Sequence, residues 1–352
     1  MSIKVLIVDD SNFMRKALTR MIESEPGFTV ADQVSNGSDA LKVIPKLQPH
    51  VVLLDVEMEG MDGLMTLKKI MDTHPTPVIM FSAYTKKGAD ITLKCLQEGA
   101  VDFLEKPSGS ISMDLNAVRE ALISRIRVAI RVKPHRKITK LVVPSTGIKN
   151  LTLPDISNSI LAIGSSTGGV QALHNVIPLL PKDLPIPIVI VQHMPPMFTK
   201  TFAESLDADS AVTVKEGADG DVLKPGVVYI APGGLHMTVA KDRSNNVVLR
   251  TSKEPSDELL RPCVDILFNS VANIYGKNTL AVILTGMGDD GTKGLRTLKE
   301  KNIISIAQDE NTCVVYGMPK LAVDNGLIDV ILPINRIADQ IMAIINKSNA
   351  GI

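Results

Sequence analysis

Short apolar runs alternate with longer stretches of helical period over the first third of the chain. The apolar runs occupy residues 5–8, 51–54, 78–81 and 101–104, and helical patterns lie near residues 12–23, 38–47, 63–73 and 87–98. A turn at Pro26-Gly27 precedes one further strand. This alternation predicts an α/β domain with a five-stranded, flavodoxin-like, doubly wound sheet. A functional site in such a domain lies at the carboxyl ends of the strands.

The second half of the chain shows another α/β pattern. Strand-like runs lie at residues 160–163, 186–191, 227–231, 279–284, 303–307 and 327–331, with helical patterns between most of them. The segment 211–250 differs, because it combines short alternating strands with turn residues such as Pro232-Gly233-Gly234. We therefore predict a doubly wound, mainly parallel domain with an antiparallel excursion in this segment.

The stretch between the two patterns is basic and contains several prolines. A fifth helix is predicted near residues 113–132, and residues 133–154 carry Pro134, Pro144 and Pro154 with little periodicity. Such a segment is typical of a linker. We therefore predict a first domain over residues 1–131, a linker over residues 132–156 and a second domain over residues 157–350.

The overall composition excludes some classes of function. A chain of 352 residues with 45% hydrophobic residues is long enough for two domains, each with its own core. Its 38 lysines and arginines balance 38 aspartates and glutamates, so no net positive charge attracts the chain to nucleic acid or to an anionic bilayer. We therefore do not expect a nucleic-acid partner.

The cysteines and the first ten residues bear on location. Cys95, Cys263 and Cys313 are an odd number without metal-type spacing, which indicates buried thiols in a reducing compartment. Residues 1–10 hold one short apolar run that ends in two acids, unlike a signal peptide or a spanning helix. We expect a cytoplasmic protein without direct membrane insertion.

Acidic, hydroxyl and ammonium side chains follow the predicted strands of the first domain. Asp9 and Asp10 follow the first strand, while Asp55, Ser82 and Lys106 lie at the ends of the third, fourth and fifth. Three close carboxylates repel one another unless a divalent cation such as Mg²⁺ and a lysine neutralise them. Such a pocket suits phosphoryl transfer to a carboxylate. The alternative is that single strand-end acids only cap helices.

These residues together resemble the receiver domains of two-component signalling, over residues 3–131. The resemblance implies that Asp55 is the phosphoacceptor and that Mg²⁺ supports its phosphorylation. It also implies that Asp10, Asp55 and the carbonyl of Glu57 bind the metal, with assistance from Asp9. Ser82 and Lys106 would sense the phosphoryl group, and Phe103 would be the switch aromatic. Glu59, where receivers commonly have proline, departs from the pattern in a loop and not in the chemistry.

A glycine-rich turn in the second domain carries a candidate nucleophile. Gly164-Ser165-Ser166-Thr167-Gly168-Gly169 joins a predicted strand to a predicted helix, and Ser166 is the centre of a G-x-S-x-G match. A glycine-rich turn of this kind can equally bind phosphate, so the pattern alone does not decide.

Two further clusters favour nucleophilic catalysis. His193 directly follows the strand at residues 186–191, and Asp289 and Asp290 follow the strand at residues 279–284. These strand ends reach the same edge of the sheet as Ser166. A histidine there can accept the serine proton, and a carboxylate can orient the imidazole. Taken singly, a lone histidine is more often structural and Asp-Asp-Gly is more often a turn.

The segments 163–169, 192–196, 229–233, 284–291 and 314–319 together resemble the chemotaxis protein-glutamate methylesterases/protein-glutamine glutaminases. The resemblance implies Ser166 as nucleophile, His193 as general base and then acid, and Asp290 as the residue that orients His193. It also implies an oxyanion hole from the amides of Met287 and of the loop after Ser166, with Thr167 lining the site. Ser165 and Asp289 are neighbours that could be mistaken for the functional residues.

The resemblance implies a function in chemosensory adaptation. The expected reactions are hydrolysis of glutamate 5-O-methyl esters on methyl-accepting chemoreceptors, with release of methanol, and deamidation of receptor glutamines. A chemotaxis histidine kinase is the expected phosphodonor, and no cofactor is expected at the esterase site. Whether the receiver only blocks or also activates the esterase stays open. Two alternatives are a response regulator with a non-catalytic output domain and a general serine hydrolase or peptidase.

Overall fold

The computed structural model describes residues 2–83, 85–106, 115–132, 151–258 and 260–350. The chain divides into two compact units, Met1–Leu141 and Val142–Ile352. Most of the predicted linker, residues 133–150, lies outside the described residues. The predicted domain boundaries at residues 131 and 157 therefore stay predictions.

The first unit contains a five-stranded parallel sheet in the order β2-β1-β3-β4-β5. This order confirms the predicted flavodoxin-like, doubly wound fold. The strands are β1 (Ile3–Val8), β2 (Phe28–Val34), β3 (Val51–Asp55), β4 (Val78–Ser82) and β5 (Asp102–Glu105). The helices are α1 (Asn12–Glu23), α2 (Gly37–Leu47), α3 (Gly63–Thr73), α4 (Lys86–Gln97) and α5 (Leu115–Ala129).

Local sequence signals explain where these helices begin. The side chains of Ser11, Asn36, Asp62 and Thr85 each accept a hydrogen bond from an amide of the first turn of α1, α2, α3 and α4. Such caps satisfy amides that have no partner inside the helix. The predicted helices at residues 12–23 and 63–73 agree with α1 and α3. The fifth helix is shorter than predicted among the described residues, and Met113 lies outside them.

The second unit contains a seven-stranded parallel sheet in the order β14-β13-β12-β6-β7-β9-β8 and a separate antiparallel pair, β10-β11. The strands are β6 (Ile160–Ser165), β7 (Ile188–Gln192), β8 (Thr213–Glu216), β9 (Val227–Ile230), β10 (His236–Lys241), β11 (Val247–Ser252), β12 (Thr279–Ile283), β13 (Ile304–Gln308) and β14 (Val330–Leu332). The helices are α6 (Gly169–Val176), α7 (Phe198–Ala208), α8 (Val264–Tyr275), α9 (Thr292–Lys299), α10 (Met318–Asp324) and α11 (Ile334–Asn349).

The antiparallel excursion is smaller than predicted. Only β10 and β11 run antiparallel within the segment 211–250, whereas β8 and β9 pair in parallel with the main sheet. The reason is that β8 is an edge strand whose side chains alternate between exposed and buried. An edge strand with one solvated face shows the same alternation as an antiparallel strand.

Burial at the centre of the second sheet positions the candidate site. Every residue of β6, β7 and β12 is buried, because helices cover both faces of the sheet. Each fully buried valine, leucine or isoleucine contributes about 1.5–3 kcal/mol of transfer free energy. The chain continues from β6 to β7 on one side, and β12 lies on the other side of β6. The carboxyl ends of β6, β7 and β12 therefore meet at a topological switch point, where ligands bind in open α/β sheets.

Among the described helices, none combines the length and the apolar character that crossing a bilayer requires.

Candidate functional site

Ser166 lies on the sharp turn between β6 and α6. The turn depends on Gly168, which has φ 80° and where a Cβ atom would lie 2.5 Å from the Cβ of Val314. Ser166 is half-buried, and its amide donates to the carbonyl of Thr285 at 3.0 Å. That amide is therefore engaged with the loop after β12. The carbonyl of Ser166 accepts from the amide of Gly169 at 2.8 Å, so the turn is bonded on both sides of the serine.

Gln192 is a residue whose role sequence reasoning missed. Its Oε1 accepts from the Ser165 hydroxyl at 2.7 Å, and its Nε2 donates to the carbonyls of Ser166 at 2.9 Å and His193 at 3.1 Å. A Cβ atom on Gly169 would lie 1.9 Å from Oε1. Gln192 thus joins the nucleophile turn to the end of β7. Its only sequence signal was its place directly before His193.

His193 lies beside Ser166 because β6 and β7 pair in parallel, with Ser165 opposite Gln192. The amide of His193 donates to the carbonyl of Ser165 at 3.1 Å, and its ring Nε2 lies 2.7 Å from Oδ2 of Asp290. An ionised carboxylate only accepts hydrogen bonds, so Nε2 carries the proton in this pair. In the neutral imidazole, Nδ1 is then the basic nitrogen.

The Asp290 carboxylate is held by four donors. Oδ2 accepts from His193 and from the amide of Val264 at 2.7 Å, and Oδ1 accepts from the amide of Asp265 at 2.8 Å and from Sγ of Cys263 at 3.2 Å. Burial raises the pKa of Asp290, but the bonds from His193 and the two amides outweigh it and lower the pKa below its usual value. The carboxylate is therefore ionised at neutral pH.

Asp289 occupies a different environment from Asp290. Its side chain is exposed, and its carbonyl accepts from the amide of Thr292 at 3.0 Å at the start of α9. Of the two neighbouring aspartates, the structure brings Asp290 to His193.

For the ester hydrolysis that the resemblance implies, Asp290→Asn is expected to lower kcat roughly 10⁴-fold, because the amide favours the wrong tautomer of His193 and leaves the imidazolium unpaired. Asp289→Asn is the matched control, and we expect it to stay within a few-fold of the unmodified protein. Steady-state methanol release measures both variants. A larger loss in Asp289→Asn than in Asp290→Asn would show that the other carboxylate orients the histidine.

The loop after β12 packs directly on the nucleophile turn. A Cβ atom on Gly286 would lie 2.8 Å from the Cβ of Ser166, and the hydroxyl of Thr285 donates to the carbonyl of Thr167 at 2.9 Å. Thr167 is buried, whereas the side chain of Met287 is 41% exposed. The segments that carry the predicted oxyanion donors, Met287 and the loop after Ser166, therefore lie against each other. Their role in catalysis stays a prediction.

The acidic residues of the first unit form one cluster. Carboxylate oxygens of Asp9, Asp10 and Asp55 all lie within 4.8 Å of one another. Lys106 Nζ lies 2.5 Å from Oδ2 of Asp55 and 3.0 Å from Oδ2 of Asp9. A cavity of about 550 Å³ opens over the cluster and is lined in part by Asp10, Asp55, Glu57 and Lys106. Strand-end convergence, as predicted, brings these groups together.

The charges in this cluster perturb one another. Burial raises the pKa of Asp55 to about 6, although Lys106 acts in the opposite direction. Burial lowers the pKa of Lys106, but the ion pairs with Asp55 and Asp9 outweigh it and raise the pKa overall. Three converging carboxylate oxygens, one of them solvent-exposed, are the hard ligands that Mg²⁺ prefers. The donor set therefore fits the implied metal.

The remaining predicted receiver residues surround Asp55. The amide of Glu57 donates to Oδ1 of Asp55 at 3.2 Å, so its carbonyl lies in the same loop. Ser82 is fully buried at the end of β4, and its hydroxyl donates to the carbonyl of Ala83 at 3.3 Å. Phe103 is buried within β5, with 7% of its surface exposed. Their phosphoryl-sensing and switching roles stay predictions.

Comparison with known proteins places both units in described families. The CheB methylesterase family model matches residues 161–341, and the response regulator receiver domain model matches residues 5–116. The protein-glutamate methylesterase/protein-glutamine glutaminase of Halalkalibacterium halodurans is 46% identical over 343 residues, covering 97% of each chain. That of Thermotoga maritima is 44% identical, covering 97% of this chain and 98% of the relative.

A solved structure also matches the second unit. The crystal structure of the Thermotoga maritima CheB methylesterase catalytic domain has a TM-score of 0.51 and 47% sequence identity. The match covers 52% of this chain and 97% of that chain.

Proposed function

The chain belongs to the CheB methylesterase family, with an N-terminal response regulator receiver domain, and from this premise we propose that it hydrolyses glutamate 5-O-methyl esters on methyl-accepting chemotaxis receptors. The named relatives are protein-glutamate methylesterases and protein-glutamine glutaminases. The observation that carries the proposal is the His193–Asp290 pair beside Ser166, at the ends of adjacent strands. A chain with no net charge has no positive field that would favour nucleic acid as a partner.

The proposed reaction passes through an acyl-enzyme. The Ser166 hydroxyl attacks the ester carbonyl while Nδ1 of His193 accepts its proton, and Asp290 stabilises the imidazolium. The amides of Met287 and of the loop after Ser166 stabilise the tetrahedral oxyanion. His193 then donates the proton to the departing methoxide, which leaves as methanol. A water molecule then attacks the acyl carbonyl while His193 accepts its proton. The bond from the acyl group to Ser166 Oγ breaks, His193 returns the proton to Oγ, and the free glutamate is released.

The same residues account for deamidation of receptor glutamines. An amide carbonyl passes through a tetrahedral oxyanion like that of an ester, so the nucleophile and the oxyanion donors serve both reactions. The difference is the leaving group, because ammonia requires protonation by His193 before it departs.

We further propose that phosphorylation of Asp55 activates the esterase, with a chemotaxis histidine kinase as phosphodonor. Asp10, Asp55 and the carbonyl of Glu57 would hold Mg²⁺, which would supply neutralisation of the phosphoryl oxygens. Lys106 pairs with one phosphoryl oxygen, since its ammonium already contacts both Asp55 and Asp9. Ser82 donates a hydrogen bond to another.

The direct test uses receptor membranes that carry labelled methyl esters. We expect the full-length protein to release labelled methanol, and a small phosphodonor such as acetyl phosphate with Mg²⁺ to raise the rate. A protein that cleaves receptor peptide bonds but releases no methanol would be a peptidase. A protein that binds receptors without either product would have a non-catalytic output domain.

Removal of residues 1–155 is expected to raise the resting activity, if the receiver restrains the esterase before phosphorylation. The solved catalytic domain of the Thermotoga maritima relative, at 47% identity, supports independent folding of this part. The measurement compares methanol release by a chain that starts at Ile156 with release by the unphosphorylated full-length protein. A truncated chain that is no faster would indicate a receiver that activates its partner domain instead of restraining it.

A further inference from the structure

At the starts of α8 and α9, a carboxylate next to or within each helix accepts hydrogen bonds from amides of the other helix. Asp290 lies just before α9 and accepts from the amides of Val264 and Asp265 in the first turn of α8. Asp265 in turn accepts on Oδ1 from the amide of Gly294, in the first turn of α9, at 2.7 Å. Each helix therefore satisfies amides at the start of the other.

We propose that Asp265 is a positioning residue, which holds the start of α9 so that the Asp290 carboxylate stays on His193. Asp265 does not contact the reacting atoms, and it acts through Asp290. The expected effect on kcat rests on the proposed function. The contact between Asp290 and His193 can be measured without turnover.

The backbone on either side of Asp290 explains why such a contact is needed. Gly288 and Gly291 both have positive φ, 87° and 95°. Glycine reaches many backbone conformations, so the backbone of this segment depends on outside contacts, of which the bonds from the amides of Val264 and Asp265 to the Asp290 carboxylate are one set. Asp265 adds a contact from outside the segment. Its carboxylate accepts from the amide of Gly294, which lies three residues after Gly291.

The Asp265 carboxylate accepts from α9 at a point where the two helices pack closely. A Cβ atom on Gly294 would lie 2.6 Å from the Cβ of Phe268 and 3.0 Å from the Cα of Asp265. The helices therefore meet backbone to backbone at the point where the carboxylate accepts. A displacement of the catalytic group by about 1 Å can lower a rate by as much as 10²-fold.

The charge of Asp265 argues against a role in fold stability alone. Burial raises its pKa to about 6, and Asp290 adds to the effect, while the amides of Gly294 and Gly291 and the Lys293 ammonium act in the opposite direction. A raised carboxyl pKa stabilises the fold below the unfolded value, near 4, and this contribution is lost as pH rises through about 6. At neutral pH the ionised group is thus disfavoured by the fold, although the bonds from the amides of Gly294 and Gly291 favour the ionised carboxylate.

The test compares Asp265→Ala and Asp265→Asn with Asp207→Ala in the full-length protein. Asp207 is a matched control, because its Oδ1 also accepts a backbone amide, that of Val214 at 2.7 Å, at the end of α7 and not at the triad. We expect Asp265→Ala to lower kcat for ester hydrolysis by about 10- to 100-fold with little change in KM. Asp265→Asn retains one acceptor oxygen, so it should recover part of the loss.

A second readout follows the His193 ring directly by ¹⁵N NMR, with the signal assigned by its disappearance in His193→Gln. We expect the hydrogen-bonded Nε2–H signal to weaken or shift upfield in Asp265→Ala and to stay unchanged in Asp207→Ala. An unchanged ring signal with unmodified kcat in Asp265→Ala would overturn the proposal. A second result would also overturn it: an unchanged ring signal, with kcat falling in proportion to thermal stability in both Asp265→Ala and Asp207→Ala.

The two readouts separate failure of this inference from failure of the proposed function. If no variant and not even the unmodified protein hydrolyses the ester, the ring signal still shows whether Asp265 holds Asp290 on His193. If Asp265→Ala does not fold, the Asp265→Asn variant decides: a ring signal and a kcat both equal to those of the unmodified protein would contradict a positioning role.

Discussion

Ser166→Ala is expected to lower kcat for methyl ester hydrolysis by about 10⁴- to 10⁶-fold, as removal of a nucleophile from a catalytic triad does. Without the hydroxyl no acyl-enzyme forms, and only substrate binding and the oxyanion donors remain. The measurement is single-turnover and steady-state methanol release from labelled receptor membranes. Circular dichroism and thermal unfolding should be unchanged, because the Ser166 side chain is half-buried at the surface of its turn.

Ser165→Ala is the matched control for this prediction. The Ser165 hydroxyl is fully buried and donates to Oε1 of Gln192 at 2.7 Å, so it cannot reach a substrate. Loss of one buried hydrogen bond typically destabilises a fold by about 1 kcal/mol, and we expect activity within a few-fold of the unmodified protein. Full activity in Ser166→Ala, or an inactive but folded Ser165→Ala, would move the nucleophile away from Ser166.

Asp55→Asn is expected to abolish stimulation by a phosphodonor while leaving the basal rate of methanol release unchanged. An amide cannot accept the phosphoryl group, and Asp55 belongs to the first unit and not to the esterase site. The measurement is methanol release with and without acetyl phosphate and Mg²⁺, together with hydroxylamine-labile phosphate on the intact protein.

Asp62→Asn tests whether the effect is specific to the phosphoacceptor. Asp62 lines the same cavity as Asp55, but its carboxylate caps α3 by accepting from the amide of Met65 at 2.8 Å. Asparagine is an equally good cap, so this variant should fold normally and keep its stimulation. Stimulation that survives in Asp55→Asn would place the phosphorylation site on another residue.

Much of the architecture follows from local patterns in the sequence. The helices α1 and α3 have the bounds that helical periodicity predicts, and in the structure Ser11 and Asp62 cap their first turns. The convergence of strand ends also follows from sequence, because carboxyl ends of parallel strands meet at one edge. This rule brings carboxylate oxygens of Asp9, Asp10 and Asp55 within 4.8 Å of one another.

Other features depend on contacts between distant parts of the chain. The parallel pairing of β8 could not be predicted, since alternation along an edge strand is the same in either direction. The role of Gln192 arises from hydrogen bonds to Ser165 and Ser166, which are more than 25 residues away in sequence. The periodicity of apolar residues does not show which distant residues form hydrogen bonds, so it could not reveal the role of Gln192.

The choice between Asp289 and Asp290 is a similar case. The two residues are adjacent and identical in type, and they lie between Gly288 and Gly291, which both have positive φ. Resemblance to a family favoured Asp290, while residue pattern alone left both open. The environment of Asp290 is made by α8, which begins at Val264 in a different part of the chain.

The hydrogen bonds among the ends of β6, β7 and β12 have a consequence for local unfolding. The amide of Ser166 is bonded to the carbonyl of Thr285, and the amide of His193 is bonded to the carbonyl of Ser165. Opening any one of these loops breaks bonds that belong to the others, so the three loops form one cooperative unit. Amide hydrogen exchange at Ser166 and His193 should therefore be as slow as in the buried strands, and the site meets its substrate already organised.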